Sequence, residues 1–86
     1  MSIDEIKAAK RNRVIGSKQV GKAIQRGIAQ KVFLARDASP NLTQPLFEAC
    51  QAAQIEVEWV DDMETLGKAC RIDVGTAAAA ILREQV

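Results

Sequence analysis

The chain has 86 residues, a net charge of +1, 48% hydrophobic residues but only 3% aromatic, and neither histidine nor tyrosine. That length predicts one domain, residues 1–86, with no room for a second core. No apolar stretch reaches membrane-spanning length, and Met1-Ser2-Ile3-Asp4-Glu5 lacks the basic and apolar regions of a signal peptide, so a cytoplasmic protein without a membrane partner is expected.

Ser2 and Glu5 form a capping box that starts a helix running to about Arg11, with Ile3 and Ile6 inward. Arg13-Val14-Ile15 reads as a short strand. From Gly16 to Gly27 the spacing predicts a helix with Val20, Ala23 and Ile24 on its inner face. Lys18, Gln19, Lys22 and Arg26 lie on its outer face, and Gly27 suits a left-handed C-terminal cap. Lys31 to Ala35 is a continuous apolar run of the kind found in an inner strand.

Asp37 to Asn41 reads as a loop, and a regular helix is expected from about Thr43, because Pro45 suits a first turn better than an interior. Ile55 to Trp59 alternates as a strand with one polar face. Asp61 or Asp62 caps a short helix with Leu66, Ala69 and Cys70 inward. The loop Arg71 to Gly75 leads to Thr76–Leu82. Four alanines there favour helix, but the alternation of helices and strands predicts a strand. The fold class expected is α/β, a three-layer α/β/α sandwich with a four-stranded mixed sheet.

Charge is unevenly placed. Nine basic residues and no acidic one lie between Lys7 and Arg36, and seven acidic residues and no basic one lie between Asp37 and Gly67. Such asymmetry points to an anionic partner at one face, unless folding intermixes the two halves. A helix N-terminus opened by Gly16 presents free N–H groups and the positive end of the helix dipole. Lysine and glutamine in its first turn match base edges, lysine to guanine and glutamine to adenine. A second basic and apolar group, Lys68, Arg71, Ile72 and Val74, follows the last helix, although inward aliphatics in a plain connection would read the same way.

Enzyme chemistry is not expected. There is no histidine to act as a base, no phosphate-binding glycine motif, no G-x-S-x-G and no carboxylate pair in an apolar setting. Cys50 and Cys70 read as buried free thiols, and no metal or cofactor is expected. With few aromatics to stack on single strands, recognition should use groove edges, phosphates and the shape of a structured RNA.

The run Gly16 to Ile24, Arg26-Gly27, Val32 to Ala35, Asp37 and Pro40 resembles the kink-turn-binding ribosomal proteins, the L-seven-Ae and L-thirty-e superfamily. Ile55, Leu66-Gly67-Lys68-Ala69-Cys70 and Val74-Gly75 continue the match, which is best with the small bacterial members. The resemblance implies binding of kink-turns, RNA elements in which tandem sheared G·A pairs follow a bulge. The RNA would be ribosomal or regulatory, such as a riboswitch, with no DNA expected and the protein a monomer within a ribonucleoprotein.

By position, the resemblance puts Gly16, Ser17, Lys18, Gln19 and Lys22 in the widened major groove. Ile72, Asp73 and Val74 would cover the bulge. Arg71 stands where bacterial relatives carry glycine, which implies an altered loop and an added phosphate contact; Arg26 and Lys68 complete the candidate RNA-binding set. The alternative is a protein-interaction module on the same fold, using the acidic stretch as its surface. Salt distinguishes the two, because RNA affinity falls steeply with ionic strength.

Overall fold

The computed structural model describes residues 3–9 and 12–83. Alternating helical and strand periodicities produce, in chain order, α1 (Ile3–Ala8), β1 (Arg13–Ile15), α2 (Ser17–Gln25) and β2 (Ala29–Ala35). They continue as α3 (Pro40–Ala52), β3 (Glu56–Val60), α4 (Met63–Ala69) and β4 (Ala78–Leu82). The strands form one sheet in the order β1-β4-β2-β3. β2 and β3 are parallel, while β4 is antiparallel to both of its neighbours, so the sheet is mixed.

Successive residues of a strand face opposite sides, and the core divides accordingly. Phe33, Ala79 and Ile81 pack with Ile6, Leu66 and Cys70 beneath α1 and α4. Val32, Leu34, Ala78 and Ala80 pack with Val20, Ile24, Leu46 and Cys50 beneath α2 and α3. This is the expected three-layer arrangement. The alanine segment is a strand, and Ala78, Ala79 and Ala80 are fully buried in an inner position between β1 and β2. Alanine on both faces brings the helices close to the sheet, and this packing overrides intrinsic helix preference.

Four expectations are corrected, the first being the end of α1, which stops at Ala8 and not near Arg11. Helix α3 begins at Pro40 rather than near Thr43, because Ser39 caps it by accepting from Asn41 N–H at 3.3 Å and Pro40 fills the first turn. Pro45 sits exposed inside the helix, so water can satisfy the carbonyl that its missing N–H leaves free. Strand β3 starts one residue late, because Ile55 N–H still donates to Cys50 O at 2.8 Å and closes α3. Lys31, one of the nine basic residues between Lys7 and Arg36, is buried. It alternates with Phe33 and Ala35 onto the face beneath α1 and α4, where its ammonium meets Glu5, Glu56 and Glu58 at 2.8, 3.3 and 3.3 Å. The capping partner expected at Ser2 lies outside the described residues; the Glu5 carboxylate serves Lys31.

Candidate nucleic-acid interface

Strand β1 passes into α2 through Gly16, whose φ of 100° is one that residues with a Cβ rarely adopt. Its N–H donates to Ala78 O at 2.9 Å, and its carbonyl accepts from Val20 N–H at 3.0 Å. No side chain caps the helix and no acidic residue stands in its first turn. The first N–H groups of a helix have no intrahelical acceptor, so this end projects unpaired donors along the positive end of the dipole. Ser17 is half-buried there, while Lys18, Gln19 and Lys22 are exposed. Among the described residues, no carboxylate forms an ion pair with Lys18, Lys22 or Arg26. Arg26 is the C-cap of α2. At 1.5 Å of rise per residue it lies roughly 15 Å from Gly16, and the fold does not bring it to the open end.

The second patch is shaped by α4 and the chain that follows it. Asp62 caps the helix by accepting from Thr65 N–H at 2.7 Å, and Asp37, 26 residues before Met63, accepts from Met63 N–H at 2.8 Å. At the far end Arg71 takes a left-handed φ of 62°. Arg71 N–H donates to Lys68 O at 3.0 Å and Ile72 N–H to Gly67 O at 3.1 Å. That is the closure a left-handed residue, most often glycine, makes at a helix C-terminus, and the arginine adopts it here. The loop then runs back along α4. A Cβ on Gly67 would collide with Val74 O and come within 3.0 Å of Gly75 Cα, and one on Gly75 would lie 3.0 Å from Met63 Cβ. Both glycines therefore allow close contact between the loop and the helix.

Ile72 is half-buried and packs onto the core under α1 and α4, whereas Asp73 and Val74 are exposed, Val74 by 71%. The inward reading thus holds for Ile72 and fails for Val74. Lys68 is exposed and pairs with Glu64 at 3.2 Å, a surface pair weak enough to yield to a ligand.

Strand β4 joins the two patches. Ala78, which accepts from Gly16 N–H, lies three residues beyond Gly75. Three residues of chain span at most about 10 Å, so the end of the loop stands beside the open end of α2. Thr76 stiffens the join: its N–H donates to Met63 O at 3.2 Å and its hydroxyl to Ala78 O at 2.9 Å. Gly16 to Gln19 and the 71–75 loop therefore share one edge of the sandwich. Sequence reading missed the long-range bonds of Asp37, to Met63 N–H, and of Arg13, whose guanidinium donates to Ile6 O and Cys70 O, because such bonds leave no local pattern.

Cys50 and Cys70 are free and buried, and burial pushes the Cys50 thiol up to about 11. Burial also raises Cys70, against the opposing charge of Arg13. Among the described residues no acidic or thiol cluster is arranged to hold a metal ion, and no helix is long and apolar enough to cross a membrane.

Residues 3–85 match the family described as Ribosomal protein L7Ae/L30e/S12e/Gadd45. An RNA-binding protein of Geobacillus sp. is 46% identical over 70 residues, 81% of this chain and 85% of its own. Another, from Bacillus pumilus, is 40% identical over 82 residues, 95% of this chain and 99% of its own. The solved Giardia lamblia 15.5kD RNA binding protein superposes with a TM-score of 0.89 at 26% identity, over 96% of this chain and 72% of that one.

Proposed function

The chain belongs to the ribosomal protein L7Ae/L30e/S12e/Gadd45 family, and from that premise we propose that it binds RNA by recognising kink-turns with tandem sheared G·A pairs. The observation that carries the reading is the shared edge, where the uncapped, cation-flanked start of α2 stands beside an exposed valine on a loop tied to α4 at both ends. Each half suits a different part of such an RNA. Lys18, Gln19 and Lys22 present donors to base edges, and the helix end attracts phosphate. Val74 offers an apolar surface to a nucleotide turned out of the stack. Ordinary A-form RNA has a major groove too deep and narrow for these side chains, so the pairing of the two patches favours a widened, kinked site. The RNA is ribosomal or regulatory, and the protein acts as a single domain and a monomer.

Binding selects the bent form and so shifts the RNA toward it. End-to-end fluorescence transfer, titrated at physiological salt, should rise for a kink-turn. It should not rise for the same RNA with its G·A pairs changed to Watson–Crick pairs. Lys22→Ala should cost about 1–3 kcal/mol of that affinity, the range for a specific base contact. Equal affinity for the two RNAs, with no rise in transfer, would reduce the protein to a nonspecific basic domain.

A further inference from the structure

Arg13 lies on β1, three residues before Gly16, and its partly buried guanidinium points away from solvent-facing cations such as Lys18. Nη1 donates to Ile6 O at 2.9 Å and Nη2 to Cys70 O at 2.7 Å. One side chain therefore satisfies a carbonyl on α1 and another at the C-terminal end of α4, where carbonyls lack helical donors. An arginine fork suits the task because it stays charged and offers several donors in a fixed plane.

The Cys70 carbonyl is the last group before the left-handed turn at Arg71 that starts the loop. The far end of that loop is already held to α4 by Thr76 and by the packing of Gly75 on Met63. At its start, the bonds from Arg71 and Ile72 only tie the loop to α4 itself. Among the described residues, Arg13 supplies the side-chain tie from this turn to the sheet. The strand that carries it runs through Ile15 directly into Gly16 and α2.

We propose that Arg13 is a positioning residue that sets the distance between the 71–75 loop and the open end of α2, and through it the selection of bulged RNA. It touches no RNA itself. The inference rests on the RNA reading given above and adds to it a residue that presents nothing to the ligand.

The test uses the full chain with R13Q, which removes the charge, and R13K, which keeps it but lacks the fork. In the RNA-free protein, exchange of the hydrogen-bonded amides of Arg71 and Ile72 should quicken in R13Q while the middle of α2 stays protected. Preference for a kink-turn over the same RNA without its bulge should fall by roughly tenfold in R13Q, the scale of one charge-assisted hydrogen bond, and less in R13K. The salt dependence should not change, because no phosphate contact is lost. In double-mutant cycles R13Q should be non-additive with Val74→Ala and additive with Lys18→Ala.

Equal losses on both RNAs, or additivity with Val74→Ala, would overturn the positioning role and leave Arg13 a general stabiliser. A salt slope reduced by about one would overturn it in favour of a direct phosphate contact. Failure of the unaltered protein to prefer the kink-turn would overturn the RNA reading as well, a result distinct from either.

Discussion

Lys31 is enclosed by three carboxylates. Its ammonium has three donors for three carboxylates, and Nζ lies over the Phe33 ring, 5.3 Å from its centroid. Burial pushes its pKa down, but hydrogen bonds to Glu5, Glu56 and Glu58 and the charge of Glu5 outweigh burial and hold it above the ordinary 10.5. A raised lysine contributes stability that is fully present below pH 10.5 and lost as pH rises through the folded value. Alkaline titration should therefore weaken the fold only above that point, as thermal melts against pH would show.

Removing the cation has a larger effect. The Glu58 side chain is 17% exposed, and its Oε2 has no hydrogen-bond partner among the described residues, so Lys31→Met strands a buried charge. Urea unfolding should show a loss of about 3–5 kcal/mol, the range for breaking a buried pair. Glu56→Gln removes a carboxylate that is 71% exposed and should cost less than about 1 kcal/mol. Arg71 and Gln54 pose the opposite case. Both are left-handed, at φ 62° and 58°, so glycine at either should stabilise by about 0.5–1 kcal/mol. Arg71→Gly should nonetheless weaken RNA binding if the arginine meets a phosphate, which separates its two roles.

Among the elements, α4 and the loop behind it are the most sensitive to a single methyl group. Gly67→Ala drives a Cβ into backbone at Val74 and Gly75, where no flexible side chain can give way. The loop must lift, costing about 1–3 kcal/mol of stability. Kink-turn affinity should fall more than Lys68→Ala makes it fall, since Lys68 is only a surface cation. The same helix has an acid-sensitive start. Hydrogen bonds from Thr65 hold the Asp62 carboxyl below its usual 3.8, so the cap contributes fully above that pH and is lost as pH falls through the lower folded value.

These elements also mark how far the sequence was legible. Gly16, the Asp62 cap and the apolar run through Leu34 announced their roles locally, because caps, turns and periodicity act over a few residues. The alanine strand was legible only through its place in the alternation of elements. The start of α3 was misread because Pro45 follows the rule for a first turn, although Pro40 already occupied it. Arg13 and Asp37 were not legible as supports of the loop: their acceptor and donor lie 57 and 26 residues away.

At the scale of the whole molecule, folding redistributes the charge that the sequence concentrates. Of the nine basic residues between Lys7 and Arg36, Lys31 is enclosed by three glutamates and Arg13 is bound to backbone carbonyls. Lys7 lies on α1, 3.9 Å from Asp4, and Arg26 sits at the far end of α2. Lys18, Lys22, Lys68 and Arg71 remain as exposed cations on the two elements that form the shared edge. Counterion release makes the logarithm of affinity fall with the logarithm of salt by about 0.7–0.9 for each phosphate neutralised. These four cations set an upper bound of about −3 on the steepness of the slope, whereas all nine basic residues would give about −6 to −8. A kink-turn titrated across a series of salt concentrations should follow the shallow line. Arg71→Gly, which removes the expected phosphate contact, should reduce the slope by about one, and Lys7→Ala should leave it unchanged. A steep line that Arg71→Gly and Lys7→Ala shift equally would mean that the RNA meets a diffuse basic surface rather than this edge.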